Sequence, residues 1–226
     1  MTEPFQASGD PRNIVKTLAR LPQPYTGTCE VVVNDKEFDI VARNAIMLLI
    51  RISCPPHIAS EAILHIWYSA FITQDIFELL QEHVKPLIGD ICEKIRTKSE
   101  TTLQSKFWNV GNGTVQLILK KDMWNSLQAY LSTPPGLSRL SAQQTMEATT
   151  FSPERKDNLE RFLYSQPPGW RVGAFKFRKE GILLPFGASK ALFTVPNPQV
   201  DYYFLEVSSL TSMYIEPSFS QGTSGQ

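Results

Sequence analysis

Phe5-Gln6-Ala7-Ser8-Gly9-Asp10-Pro11-Arg12-Asn13 and, a helix-length interval later, Cys29-Glu30-Val31-Val32-Val33-Asn34-Asp35 are the stretches whose reading decides the fold. Phe5 to Ser8 reads as a short strand, and Gly9 to Asn13 as the turn after it. Pro11 suits a first helical position, where its missing N–H would have no partner in any case. Asp10 just before it is placed to cap the helix. Ile14, Val15 and Leu18 give that helix a partial apolar face, and Pro22 and Pro24 stop it. Cys29 to Val33 reads as a buried strand, because three consecutive β-branched residues fit a parallel sheet covered on both faces. Asn34-Asp35 ends it. Phe38, Val41, Ala42, Ala45, Ile46 and Leu49 then recur at helical spacing. Strand, turn, helix, strand, turn, helix is the start of a doubly wound α/β layer.

The same two stretches form the one constellation with functional shape. In a dinucleotide or S-adenosylmethionine site a glycine turn lets the backbone approach the ligand. An acidic residue closing the second strand then takes the ribose hydroxyls. Gly9 is the turn glycine here and Asp35 the candidate ribose acceptor, with Asp10 beside the turn. Asp35 lies 26 positions after Gly9, against the usual ~20. A full fingerprint carries three glycines, and Asp10 sets a negative charge where a phosphate would dock. That disfavours a phosphate-bearing dinucleotide more than a methyl donor without phosphates. The competing reading is a capped turn followed by a strand-ending Asn-Asp.

Outward from this unit, Pro55-Pro56 breaks the pattern and helices follow. Ile63, Ile66, Trp67 and Ala70 form one stripe. Thr73 is a candidate cap for a further helix carrying Ile76, Leu79, Leu80, Val84, Leu87 and Ile91, with a kink expected at Pro86. Phe107 to Val110, Gly111-Asn112-Gly113 and Thr114 to Leu119 read as a hairpin. Trp124, Leu127 and Leu131 mark a short helix ended by Thr133-Pro134-Pro135-Gly136. Residues 133–157 read as a loop or linker with at most one short helix. Asn158 to Leu163 are a possible helix, and Val172 to Phe177 and Gly181 to Leu184 are strand-like. The expected organisation is an N-terminal region over 1–132, the linker, a C-terminal segment over 158–217 packing on the core, and a mobile Ser/Gly/Gln-rich tail over 218–226.

Bulk properties narrow the function classes. The 226 residues carry 22 basic and 22 acidic side chains, so nucleic-acid binding, which needs clustered cations, is not expected. Lys94, Arg96 and Lys98 read as a solvated helix end. Three scattered cysteines with no CxxC argue against a disulfide scaffold or zinc finger and fit reduced, mostly buried thiols of a cytoplasmic protein. The longest greasy run, Ala45 to Ile52, includes Arg51 and is too short to span a bilayer. His65, beside Trp67 and Tyr68, reads as a packed or partly exposed histidine rather than a general base. No GxSxG, HExxH, P-loop or EF-hand pattern supports hydrolase, protease or kinase chemistry. Gly181-Ile182-Leu183-Leu184-Pro185-Phe186-Gly187 reads as a buried strand ending in a rigid turn anchored by Phe186.

Gly9-Asp10-Pro11-Arg12-Asn13, Asn34-Asp35 with Ala42-Arg43-Asn44, Leu183-Leu184-Pro185-Phe186-Gly187 and Asn197-Pro198 together resemble a domain of unknown function common in fungi. Its relatives often sit beside a MYND-type zinc finger, and it resembles the N-terminal part of dynein axonemal assembly factors. The resemblance runs from about Phe5 to Phe204. It implies a Rossmann-like, methyltransferase-type α/β core with a helical insertion; this chain departs from the pattern in a truncated first strand, and a C-terminal β-containing segment is expected from its own residues. Two readings of function follow. One is a non-catalytic interaction or assembly protein on a degenerate core, with a protein partner, no cofactor and no metal; an accessory role in a fungal pathway belongs with it. The other is an S-adenosylmethionine-dependent methyltransferase or small-ligand binder using Gly9, Asp10 and Asp35, with Trp67, Tyr68 or Trp108 lining a substrate pocket.

Overall fold

The computed structural model describes residues 2–6, 11–22, 25, 27–111, 113–150, 160–161, 163–185 and 187–199. It mixes helices with small sheets. Strand β1 (Thr2–Gln6) leads through α1 (Arg12–Ala19) to β2 (Glu30–Asn34). The two strands pair in parallel, residue for residue, from Thr2 opposite Glu30 to Gln6 opposite Asn34. β1 therefore starts three residues before the expected Phe5, and Asp10, the expected helix cap, lies outside the described residues. β2 is a correction. Its triple valine was read as buried on both faces, yet Val31 is half-buried and Val32 and Val33 are exposed. Among the described residues β2 has β1 as its one strand neighbour, so nothing supplies the second cover that a central parallel strand has.

The main core is helical. α2 (Phe38–Ser53) and α3 (Pro56–Tyr68) pack together. They are followed by the short β3 (Phe71–Thr73), α4 (Gln74–Leu79), a π-helical turn (Leu80–Val84) and α5 (Lys85–Lys94). Thr73 caps α4 as expected, its Oγ1 accepting from the Ile76 N–H at 3.3 Å. The expected irregularity at Pro86 takes the form of the π turn. Pro86 stands in the first turn of α5, where the ring's clash with an earlier carbonyl is avoided only if the preceding turn widens. Ile46, Ile50, Ile66, Leu80, Ile88, Trp124 and Leu127 meet in the interior of this layer.

The hairpin β4 (Leu103–Val110) and β5 (Gly113–Lys120) closes through Val110 opposite Gly113. Gly111 there has φ of 57°, a left-handed conformation that glycine adopts without steric cost. α6 (Lys121–Ala129) follows and brings in Trp124. Lys121 is buried, and its ammonium is satisfied by the carbonyls of Arg96 at 2.9 Å and Lys98 at 2.7 Å and by Glu100 at 2.9 Å. It thus takes up carbonyls left over where α5 ends.

The C-terminal third differs from its sequence reading. Within the stretch expected to be a linker with at most one short helix, α7 (Arg139–Thr150) forms a helix that buries Ala142 and Met146. Val172 to Phe177, read as strand-like, lie in α8 (Pro168–Glu180). Pro168 opens that helix, Arg178 and Lys179 sit in its last turn, and Gly181 closes it at φ 66°. A Cβ on Gly181 would strike the Met146 sulfur and the Ala70 methyl. Gly181 to Leu184, also read as a strand, have no strand pairing among the described residues. They run beside α3's end, where the Ala70 N–H donates to the Gly181 carbonyl at 2.6 Å. Phe186 lies outside the described residues. β6 (Phe193–Pro196) pairs antiparallel with β3. Residues 158–159 and 200–226, including the expected mobile tail, also fall outside them.

A polar knot ties this third to the helical core. Asn197 is buried, and its Nδ2 donates to the carbonyls of Ser69 at 2.7 Å and Ile66 at 3.0 Å. It thereby satisfies groups that α3 leaves unpaired at its C-terminus. The Asn197 Oδ1 accepts from the Gln199 N–H at 3.0 Å. His65 Nδ1 lies 3.0 Å from Ser69 Oγ, which accepts from the Leu183 N–H at 3.0 Å. The imidazole packs against the Phe193 ring, centroids 4.7 Å apart. Burial pushes its pKa down, while Glu61 opposes this in part. The reading of His65 as a packed histidine holds.

Candidate functional site

Asp35 follows β2 directly and lies at the C-terminal end of the parallel pair, where open α/β sheets place ligands. It is half-buried, and its Oδ1 accepts the Glu37 N–H at 3.1 Å. That bond makes the turn into α2, so the strand-ending role is present. The same residue lines an open groove of about 370 Å³. Val31 and Val33 of β2, Ile14 and Leu18 of α1, Val41, Ala45 and Leu48 of α2, and Val115 and Leu117 of β5 form its apolar walls, with Cys29 at one side. Asn44 and Gln116 add polar edges. The volume is at the lower end of the range for small-molecule sites.

Gly9 and Asp10, the other two residues assigned to a cofactor, lie outside the described residues. β1's last described residue, Gln6, is paired with Asn34, the neighbour of Asp35. The aromatic residues considered for a substrate pocket sit elsewhere: Trp67 stacks on Tyr68 with centroids 5.0 Å apart, and Trp108 packs against the helical core. The expected burial of the cysteines holds for Cys54, while Cys92 is half-buried and Cys29 exposed. Burial pushes the Cys92 thiol's pKa up, which leaves it protonated and poorly nucleophilic. Among the described residues no group of three or more His, Cys, Asp or Glu is arranged to hold a metal ion. Among those residues no helix is long and apolar enough to cross a membrane.

A second feature escaped the sequence reading because its residues were read as strand. α8 buries none of its side chains. Trp170 is 57% exposed, Val172 59% and Phe175 46%. Val172, Phe175 and Lys179 share one helical face at i, i+3 and i+7, and Lys176 lies next to it. The signal available in the sequence was Pro167-Pro168 before this stretch and Gly181 after it, the start and stop marks of a helix.

Residues 4–72 match the family model of a domain of unknown function, DUF4470. The match begins inside β1, takes in α1, β2, α2 and α3 and stops inside β3; α8 and the Gly181–Gly187 stretch lie beyond it. No curated protein and no solved structure matches the chain.

Proposed function

We propose that this chain is a non-catalytic interaction or assembly protein on a Rossmann-like core. The observation that carries the reading is α8, a helix that holds Trp170, Val172 and Phe175 in solvent beside Lys176 and Lys179. Exposed apolar side chains grouped on one helix mark partner surfaces, and an amphipathic helix with cationic flanks suits an acidic-rimmed apolar groove on another protein. The parallel β1–β2 pair joined through α1 supports the Rossmann-like core, and the resemblance to a fungal domain of unknown function supports a cytoplasmic accessory role. Replacing Phe175 by a photo-crosslinking phenylalanine analogue in cells should capture one discrete partner, and adding Val172→Asp should abolish the adduct. Because Val172 is exposed, Val172→Asp should shift stability by no more than about 0.5 kcal/mol. A position-175 adduct pattern no different from that of an analogue placed at Tyr25 would end this reading.

A second reading, a nucleoside-type small-ligand site such as one for S-adenosylmethionine, is favoured by Asp35 lining the groove at the C-terminal end of β2. Calorimetric titration with S-adenosylhomocysteine tests it: binding abolished by Asp35→Ala would support it, and no heat at millimolar ligand would dispose of it.

A further inference from the structure

We infer that a cleft between the end of α5 and β4 binds a compact dianionic oxyanion, either free phosphate or the phosphoryl group of a small monoester. The inference is independent of α8 and of the Asp35 groove. The cleft has a volume of about 100 Å³. Ile91 and Ile95 give it a buried apolar side, and Lys94, Lys98 and Lys106 stand around it with Gln104 and Ser105. Lys94 and Lys98 belong to the cationic run that reads in sequence as a solvated helix end. The fold brings Lys106 to them from a different element, so three lysines share one concavity. Between Glu93 and Lys106 the sequence has four cations and two carboxylates. Both carboxylates are engaged by cations that do not line the cleft: Glu93 lies 3.4 Å from Arg96 Nε and Glu100 2.9 Å from the Lys121 ammonium. Lys121 also takes the Arg96 and Lys98 carbonyls, which answers the partial negative charge where α5 ends. The cleft itself is left cationic.

The polar groups around the cleft are held in place by neutral partners. Lys98 Nζ donates to Gln104 Oε1 at 2.8 Å. That bond fixes the ammonium beside the cleft, uses one of its three donors and cancels none of its charge. Ser105 Oγ accepts from Gln116 Nε2 at 2.8 Å, so the Ser105 hydroxyl keeps its own proton to donate. Gln104 Nε2 donates to the Ser105 carbonyl at 2.7 Å, and the Trp124 indole N–H donates to the Gln104 carbonyl at 3.1 Å, which ties this part of β4 to the helical core. Lys106 is half-buried and stands opposite Leu117 in the ladder. Donors fixed in this way need little reordering to receive an anion. The volume selects the ligand. It is well below the roughly 300–1,000 Å³ of sites that engulf organic molecules, and it matches about three waters at roughly 30 Å³ each, the scale of one tetrahedral oxyanion. Lysine ammoniums are compact point charges with rotatable donors, a match for the dispersed oxygens of a phosphoryl dianion.

Titration of the full chain with inorganic phosphate, followed by amide chemical shifts at an ionic strength held constant with chloride, tests the inference. Shifts should saturate in the millimolar range and centre on Lys94 to Lys98 and Gln104 to Lys106. Lys106→Gln should weaken binding about tenfold and Lys94→Gln about threefold. Lys85→Gln, roughly 14 Å away at the other end of α5, should leave it unchanged. Lys94 is exposed, so its variant keeps the fold and carries the test even where Lys106→Gln does not fold. O-phospho-L-serine as a second probe identifies the source of the anion. Binding as tight as that of inorganic phosphate supports a cleft that receives a phosphoryl group carried by a larger molecule, and binding of inorganic phosphate alone supports a site for the free anion. Shifts that fail to saturate, shifts that chloride reproduces, or equal weakening by Lys85→Gln and Lys94→Gln overturn the inference, and they leave the roles of α8 and of the Asp35 groove untouched.

Discussion

The helical core around Trp124 and the knot around Asn197 hold the molecule together by different means. The core is assembled from α2 to α6 by apolar side chains filling one interior, and most of its partners come from amphipathic helices that follow one another in sequence. The knot is small and polar, and it joins residues more than a hundred positions apart: Asn197 to the end of α3, and Leu183 to Ser69. Loss of an apolar contact leaves a void that neighbours partly refill. Loss of a knot partner leaves buried carbonyls with nothing to accept from, and no repacking replaces a donor.

Truncating the core should produce the largest effect. Trp124 is fully buried, and its indole N–H donates to the Gln104 carbonyl at 3.1 Å. Trp124→Ala should cost about 3–5 kcal/mol, read from the urea midpoint. A cost under ~1 kcal/mol would show that the interior is not close-packed. Asn197→Ala comes next, at about 1–3 kcal/mol. It differs in kind, because hydrogen exchange should rise at the end of α3 and in β6 while α5 and α6 keep their protection. Uniform loosening of both regions would erase the distinction drawn here.

The knot should also respond to pH where the core does not. Burial holds the folded His65 pKa below the ordinary 6.5, so the unfolded chain takes up a proton first as pH falls. Stability from this residue is therefore fully present above 6.5, declines as pH drops below it, and levels off once pH passes the lowered folded value. Urea midpoints between pH 7.5 and 5.5 should fall in the parent, and that fall should be smaller in His65→Gln. An identical slope in the two would remove His65 from the account. The smallest effect belongs to the exposed strand. Val32→Thr should change stability by less than about 0.5 kcal/mol, and a cost of core size would mean that the outer face of β2 is covered.

Legibility in the sequence followed the range of the forces involved. The β1–α1–β2 unit, α2, the Thr73 cap, the hairpin and α6 were readable because period, caps and turn residues act within a few positions. The burial of β2 was misjudged because β-branched runs report strand propensity, whereas cover depends on what packs against the strand from elsewhere in the chain. Val172 to Phe177 read as strand-like, whereas the flanking Pro168 and Gly181 carry the truer signal, the start and stop of a helix. At the candidate site, Asp35 was found by its place after the second strand. The groove beside it was not, since its far wall is β5, some eighty residues away in sequence. The knot was equally hidden, because nothing local in Asn197-Pro198 says that its amide reaches α3.

The place where the family match ends has a practical consequence. Residue 72 falls in the middle of β3, whose pairing partner β6 and whose covering residues Met146, Ile182 and Phe193 all come from after residue 136. A fragment cut to the matched length would present half of a two-stranded ladder and a bare apolar patch of Ala70 and Phe71, a template for self-association. During synthesis the same surface waits, unpaired, until more than a hundred further residues have been added. The recognisable piece of sequence and the piece that completes the pairing and cover of β3 are two different lengths of chain.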